Sequence, residues 1–417
     1  MLLNNHETDT TVCYGRHEMP GVWRYFLPED WEWLKPPREI LATCDQCYQV
    51  ATSVFHDDCR CCTYFPQLPN FMLGLALRDP ASGAAVKALI EQGHALPTGL
   101  VASPAQYRDA VKAYADDKFG RESSLVCPLV EPKSFRCKIY PYRNSVCSTF
   151  FCTGGHGSIG EAYWPKVGTL IGRIETVLAQ WAMEQAGIDA KEYFGRLDRL
   201  ADRVSRLSHP ESGAWQQDAR ELLFGEWFGR ETQFFDACAE QVLDKRSELY
   251  EIACSRKLIE PLAYENAVRA WIPEDYRDHA PQVSDPDGVA KSIQELWYLL
   301  KVSNRKLWAL PFNEAFWILN DQVAIEPNAQ TCPLSKAHST KPYVVRGQSK
   351  DDGPSTILRF LTSEEVELLY LFQDKQEIGE QLMESPEAEA IENIREFLAE
   401  CYHQQILIEF TEESSNS

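Results

Sequence analysis

No run of apolar residues approaches the eighteen or so that a membrane-spanning helix needs, so no membrane span is expected. The first residues, MLLNNHETDTTV, lack a basic segment followed by an apolar one, so a secretory leader is not expected either. The expectation is a cytoplasmic protein whose thiols stay reduced, which makes disulfides a poor account of its cysteines. Basic residues are scarce: 41 Lys and Arg stand against 62 Asp and Glu, a net charge of -21. Such a surface repels phosphate, so a general nucleic-acid binder is excluded. There is no Ser-His-Asp, Walker-type or H-E-x-x-H pattern. Histidines total nine, and only His56, His94 and His156 fall near the feature that dominates the chain.

That feature is cysteine. Of fourteen in 417 residues, nine lie between positions 44 and 152: Cys44, Cys47, Cys59, Cys61, Cys62, Cys127, Cys137, Cys147 and Cys152. Thiols gathered this densely in a reduced compartment point to a metal or an iron–sulfur cluster. They fall into two groups, Cys44–Cys62 and Cys127–Cys152. Cys44-Asp-Gln-Cys47 places two thiolates on one tight turn. Cys59-Arg-Cys61-Cys62 cannot easily aim three sulfurs at one ion, so it leaves a sulfur for a second site or for chemistry. Nine exceeds one four-ligand site; the surplus means either two sites or one site with spare thiols. An all-thiolate environment suits iron–sulfur, with a [4Fe–4S] cluster favoured, and zinc is the alternative. The plainer possibility is a structural zinc that staples a loop-rich domain. Cys13, Cys238, Cys254, Cys332 and Cys401 are isolated; three of them lie in helical patterns and read as small core residues.

Elsewhere the expectation is mainly α. Residues 1–40, rich in Trp and Pro, read as an ordered lead-in. Residues 41–157 form the cysteine domain, short of regular structure except for a helix near Pro104–Phe119 capped by Ser103. Residues 158–338 read as a helical domain. Lys166–Ala186 is its clearest member, followed by Ala190–Leu207, Gly213–Phe228 and Glu231–Cys254, with another near Gly288–Val302. Ser339–Ser355 resembles a linker. The unit from 339 to 417 closes with two strands, Thr356–Phe360 and Gln405–Phe410, bracketing helices Ser363–Gln373 and Glu387–Tyr402: a small α+β domain in winged-helix-like order. From Glu364 to Glu413 fifteen acidic residues face two basic ones, so this unit is expected to bind a protein or peptide rather than DNA. Gly155-His-Gly-Ser-Ile-Gly160 matches a dinucleotide fingerprint by letter, but no βαβ unit surrounds it. The tryptophans of the middle region are expected in the core.

The cysteine pattern resembles the YkgJ-type cysteine-cluster family, described as a zinc- or iron-chelating domain. That family carries C-x-x-C and a Cys-Cys pair, then C-P-hydrophobic, then C-x-I-Y-x-x-R-P and a further cysteine. The matching residues are Cys44, Cys47, Cys59, Cys61 and Cys62, then Cys127-Pro128-Leu129, then Cys137-Lys-Ile-Tyr140-Pro-Tyr-Arg143 and Cys147. They cover about a quarter of the chain. Asn144 stands where the family has proline, and the gap from Cys47 to Cys59 is longer. The resemblance implies a metal or cluster site without defining a reaction. Within it, Arg143 and Tyr140 are expected beside the bound group, the arginine offsetting thiolate charge; the alternative is an arginine paired with a surface acid. A weaker likeness to flagellin lysine methylases suggests protein methylation. The expected function is therefore an iron–sulfur redox or modifying enzyme acting on a protein or peptide, with a non-enzymatic zinc scaffold and a methyltransferase as alternatives.

Overall fold

The computed structural model describes residues 10–409, apart from 16, 29–30, 32–33, 38, 40–41, 153–156, 280–290, 308–315, 330–333, 335–337, 348–355, 374–375, 378–381, 383–384 and 392–393. His156, Cys332, Trp308 and residues 348–355 of the expected linker lie outside the described residues. Among those described, no helix is long and apolar enough to cross a membrane.

The chain opens with a hairpin, β1 (Thr11–Tyr14) against β2 (His17–Pro20). Trp23, Phe26 and Trp31 follow and are buried. A short α1 (Tyr48–Ala51) leads to α2 (Asn70–Arg78) and α3 (Gly83–Glu91), then the two-residue strands β3 (Ala95–Leu96) and β4 (Gly99–Leu100). Next comes α4 (Pro104–Ala115). Its start is as expected: Ser103 accepts from the Gln106 amide, and the Gln106 side chain accepts from the Ser103 amide in return. The turn-rich composition of 41–157 predicts no other helix of length, yet α2 and α3 form. Six of the nine residues of α2 are buried, and tertiary packing outweighs local breakers here.

After α5 (Ser145–Thr149), α6 (Gly157–Gln185) runs 29 residues, about 43 Å. Val167, Leu170, Ile171, Ile174, Val177, Leu178 and Trp181 on it are buried, as their helical spacing predicts. The helices α7 (Ala190–Asp198), α8 (Gln217–Phe224), α9 (Glu231–Asp244), α10 (Leu249–Ser255), α11 (Leu262–Trp271) and α12 (Ile293–Leu307) complete the layer around it. One hydrophobic core runs from Tyr14 to Leu300. The lead-in, the cysteine-bearing segments and the helices therefore share a core. Leu129, Ile139 and Tyr142, all from the cysteine region, belong to it.

A second core is built by two three-stranded antiparallel sheets and short helices. The strands β5 (Phe316–Leu319), β6 (Val323–Pro327), β7 (Tyr343–Gly347), β8 (Thr356–Leu361), β9 (Gln376–Glu377) and β10 (Leu407–Glu409) pair in orders β10-β5-β9 and β6-β7-β8. The helices are α13 (Ser363–Tyr370), α14 (Pro386–Glu389) and α15 (Ile394–His403). The linker reading of Ser339–Ser355 is corrected in part: Tyr343–Gly347 is the central strand of its sheet. Val345 faces the second core, while Val344 faces a small patch of Leu334, Ile357 and Phe360, the alternation a strand requires. β5 and β6, which precede residue 339, are hydrogen-bonded into these sheets. The cap of α13 is Thr362, one residue before the expected Ser363, in a capping box with Glu365. Mainly α with small antiparallel sheets is thus the architecture.

Candidate metal centre

Four segments carry the clustered thiols, and none of the described cysteines is in a disulfide. Cys44 opens a single 3-10 turn, and Cys47 precedes α1. Cys61 and Cys62 follow a turn at His56–Arg60. Cys127 and Cys137 lie on a narrow ribbon, where Glu131 and Arg136, Leu129 and Lys138 pair through backbone hydrogen bonds. Cys147 sits in α5, and Cys152 beyond it. The segments are tied by main chain: the Cys127 amide donates to the Cys62 carbonyl at 2.7 Å, and the Gln49 side chain donates to the Cys152 carbonyl.

Cys62 is the hub. Its charge acts on Cys44, Cys127, Cys137 and Cys147, and Cys61 hydrogen-bonds to it. Cys47 acts on Cys44, and Cys152 acts on Cys61. Eight of the nine expected ligands therefore share one neighbourhood. Burial, then the neighbouring thiols, pushes Cys44 up to about 11 and Cys147 up to about 12. Cys127 and Cys137 are raised chiefly by burial, but each accepts a backbone N–H from the residue two ahead, Leu129 and Ile139, which favours the thiolate. Cys62 goes the other way. Cys61 donates a hydrogen bond to it, and the Arg143 and Arg60 guanidinium groups add positive charge. Cys62 is thus the more acidic thiol of the vicinal pair.

Among the described residues, Arg143 is paired with no acid. It donates to the carbonyls of Tyr140 (3.1 Å), Cys147 (3.4 Å) and Glu18 (3.3 Å), and its guanidinium carbon lies 3.7 Å from the centre of the Tyr140 ring. Its charge lowers the pKa of Cys44, Cys62, Cys137 and Cys147. Tyr140 is the stacking platform and is exposed. Asn144, where the resembled family has proline, accepts from the Cys147 amide at 2.9 Å and so starts α5.

Two features escape sequence reasoning. Glu175 of α6 is fully buried and accepts from the Ser145 amide (3.0 Å) and the Trp23 indole (3.3 Å). Burial lifts its carboxyl to about 7. Gly168 and Gly172 of α6 let α5 approach: a Cβ at either would meet the Thr149 or Ser145 side-chain oxygen at 2.8 or 2.9 Å. The i, i+4, i+7 spacing of Gly168, Gly172 and Glu175 on one helix face is the signal that was available. The second feature is Arg60. It is buried, adopts φ +53°, donates to Asp57 and to the Cys44 carbonyl, and stacks 4.0 Å from the Phe135 ring.

Cys59 stands apart. Its sulfur donates to Asp58 Oδ1 at 3.3 Å, and the charges acting on it are Asp58 and Glu122, not another thiol. Among the described residues, the one set of three metal-ligating side chains whose donor atoms all lie within 4.8 Å of one another is His56, Asp58 and Cys59. The many thiols and this triad are compatible with metal binding. No family model matches the chain, and no curated protein or solved structure matches it.

Proposed function

We propose that the chain is an iron–sulfur protein whose eight-thiol pocket serves redox chemistry on a protein or peptide. The observation that carries the reading is the spread of the thiols. Tetrahedral zinc with Zn–S near 2.3 Å needs sulfurs about 3.8 Å apart. No three of the eight come within 4.8 Å of one another among the described residues. A polynuclear cluster, whose ligands bind separate irons, suits that wider spacing. The donor set fits as well: Cys44, Cys47, Cys61, Cys62, Cys127, Cys137, Cys147 and Cys152 supply thiolates enough for two four-ligand clusters. An iron–sulfur group bound here supplies one-electron transfer. The protein's own part is to hold and neutralise. Backbone N–H groups support Cys127 and Cys137, and Arg143 and Arg60 offset the thiolate charge.

The partner reading rests on the surface beside the pocket. Tyr140, Val146 and Phe150 are 42%, 51% and 48% exposed, apolar groups that a protein partner would cover. With β9 and α14 inserted between α13 and α15, the run from β8 to β10 still resembles a winged helix, and its acidic composition favours a protein or peptide over DNA. The resemblance to YkgJ-type proteins supports the metal or cluster site and not the partner. Anaerobic purification tests the reading. Visible absorbance with matching iron and acid-labile sulfide is expected; colourless protein holding stoichiometric zinc would replace it with a zinc-stabilised scaffold.

A further inference from the structure

His56-Asp-Asp-Cys59 folds as one turn, with the amides of Cys59 and Arg60 both donating to the His56 carbonyl at 3.2 and 3.0 Å. The turn is anchored from outside, since the His56 amide donates to the Gly120 carbonyl at 2.9 Å. It gathers an imidazole nitrogen, a carboxylate oxygen and a sulfur within 4.8 Å of one another. Cys59 is buried, while His56 and Asp58 are exposed. The sulfur thus forms the floor of a shallow site whose other side opens to solvent. Each donor is of a type that binds zinc.

We propose that His56, Asp58 and Cys59 form a mononuclear site for a divalent metal such as zinc, separate from the eight-thiol pocket and with one coordination position open. Three protein ligands and an open position are the composition of working rather than structural zinc sites. The surrounding charge agrees. Asp58 and the nearby Glu122 place negative charge at the site, which favours a cation. Binding releases the Cys59 proton: the S–H bond breaks, an S–metal bond forms, and H+ leaves to solvent. The site does not depend on which metal fills the pocket, so the two can fail separately.

The test uses the full chain purified anaerobically with its pocket loaded. It is titrated with zinc, and with Co2+ as the spectroscopic probe. About one metal beyond the pocket's content is expected, with a thiolate-to-cobalt charge-transfer band. His56→Ala and Asp58→Asn should each weaken binding at least about tenfold, since even loss of an outer-shell partner costs 10–100-fold. Cys59→Ser should abolish the band and leave the pocket's metal content unchanged; Cys62→Ser should do the reverse. Should Cys59→Ser not fold, the exposed His56→Ala carries the test. Pocket metal lost in Cys59→Ser, or zinc binding unchanged in His56→Ala, would overturn the proposal.

Discussion

Cys59 and Cys61 are two residues apart and live in different chemistry. Cys61 donates to Cys62 and feels Cys152 and Cys44; Cys59 donates to Asp58 and feels Glu122. In an extended strand, residues i and i+2 share a face. Arg60 breaks that rule. Its left-handed backbone turns the chain between them, and its bonds to Asp57 and to the Cys44 carbonyl hold the turn. A residue other than glycine in that conformation costs of order 1 kcal/mol or more, so the surrounding contacts must enforce it. A sulfur count alone therefore misleads. Nine clustered cysteines divide into eight that share a pocket and one that faces an imidazole and a carboxylate.

The contrast can be broken hardest at Cys62. Cys62→Ser removes the thiol whose charge acts on most of the others, and more than about half of the pocket's metal should be lost together with a large drop in thermal stability. Metal analysis and a melting curve check this, and the 56–59 turn should keep its own metal. Glu175 comes next. Glu175→Ala leaves the Ser145 amide and Trp23 indole without their buried acceptor and opens a void, costing about 3–5 kcal/mol in urea unfolding. The same carboxyl gives a pH signature. Its folded pKa of about 7 exceeds the usual 4.5, so the folded state holds the extra proton between those values. Raising the pH through that window removes it, and stability should fall by up to about 3 kcal/mol. Glu175→Gln should flatten this dependence.

A smaller effect is expected at Arg60, the residue that divides the two neighbourhoods. Arg60→Ala loses its hydrogen bonds and its stacking on Phe135, at a cost of about 2–3 kcal/mol. Unlike either ligand variant, it should lower metal occupancy in both places. The smallest effect belongs to the exposed patch. Val146→Ser should change stability by no more than about 0.5 kcal/mol, while weakening capture of a protein partner.

Much of the helical frame was legible. The apolar spacing of Lys166–Ala186 and the Ser103 cap announce α6 and α4, because each helix has its signal within its own residues. The grouping of the thiols was legible only in part. Cys44-x-x-Cys47 and Cys61-Cys62 state their proximity locally, but the meeting of Cys62 with Cys127 depends on a main-chain bond between residues 65 apart in sequence. The exclusion of Cys59 hinges on the backbone angle of one arginine, which composition does not encode. Glu175 was missed because a lone carboxylate in an apolar helix reads as a surface residue until α5 is laid against it. Tyr343–Gly347 was missed because glycine, prolines and polar residues surround a strand whose partners lie on both sides of it in the chain.

X-ray absorption at the metal edge of the anaerobically purified protein tests the central claim most directly. The spread of the eight thiols predicts iron with sulfur neighbours and a second shell of iron. Zinc surrounded by sulfur at about 2.3 Å, with no metal–metal shell, would contradict it.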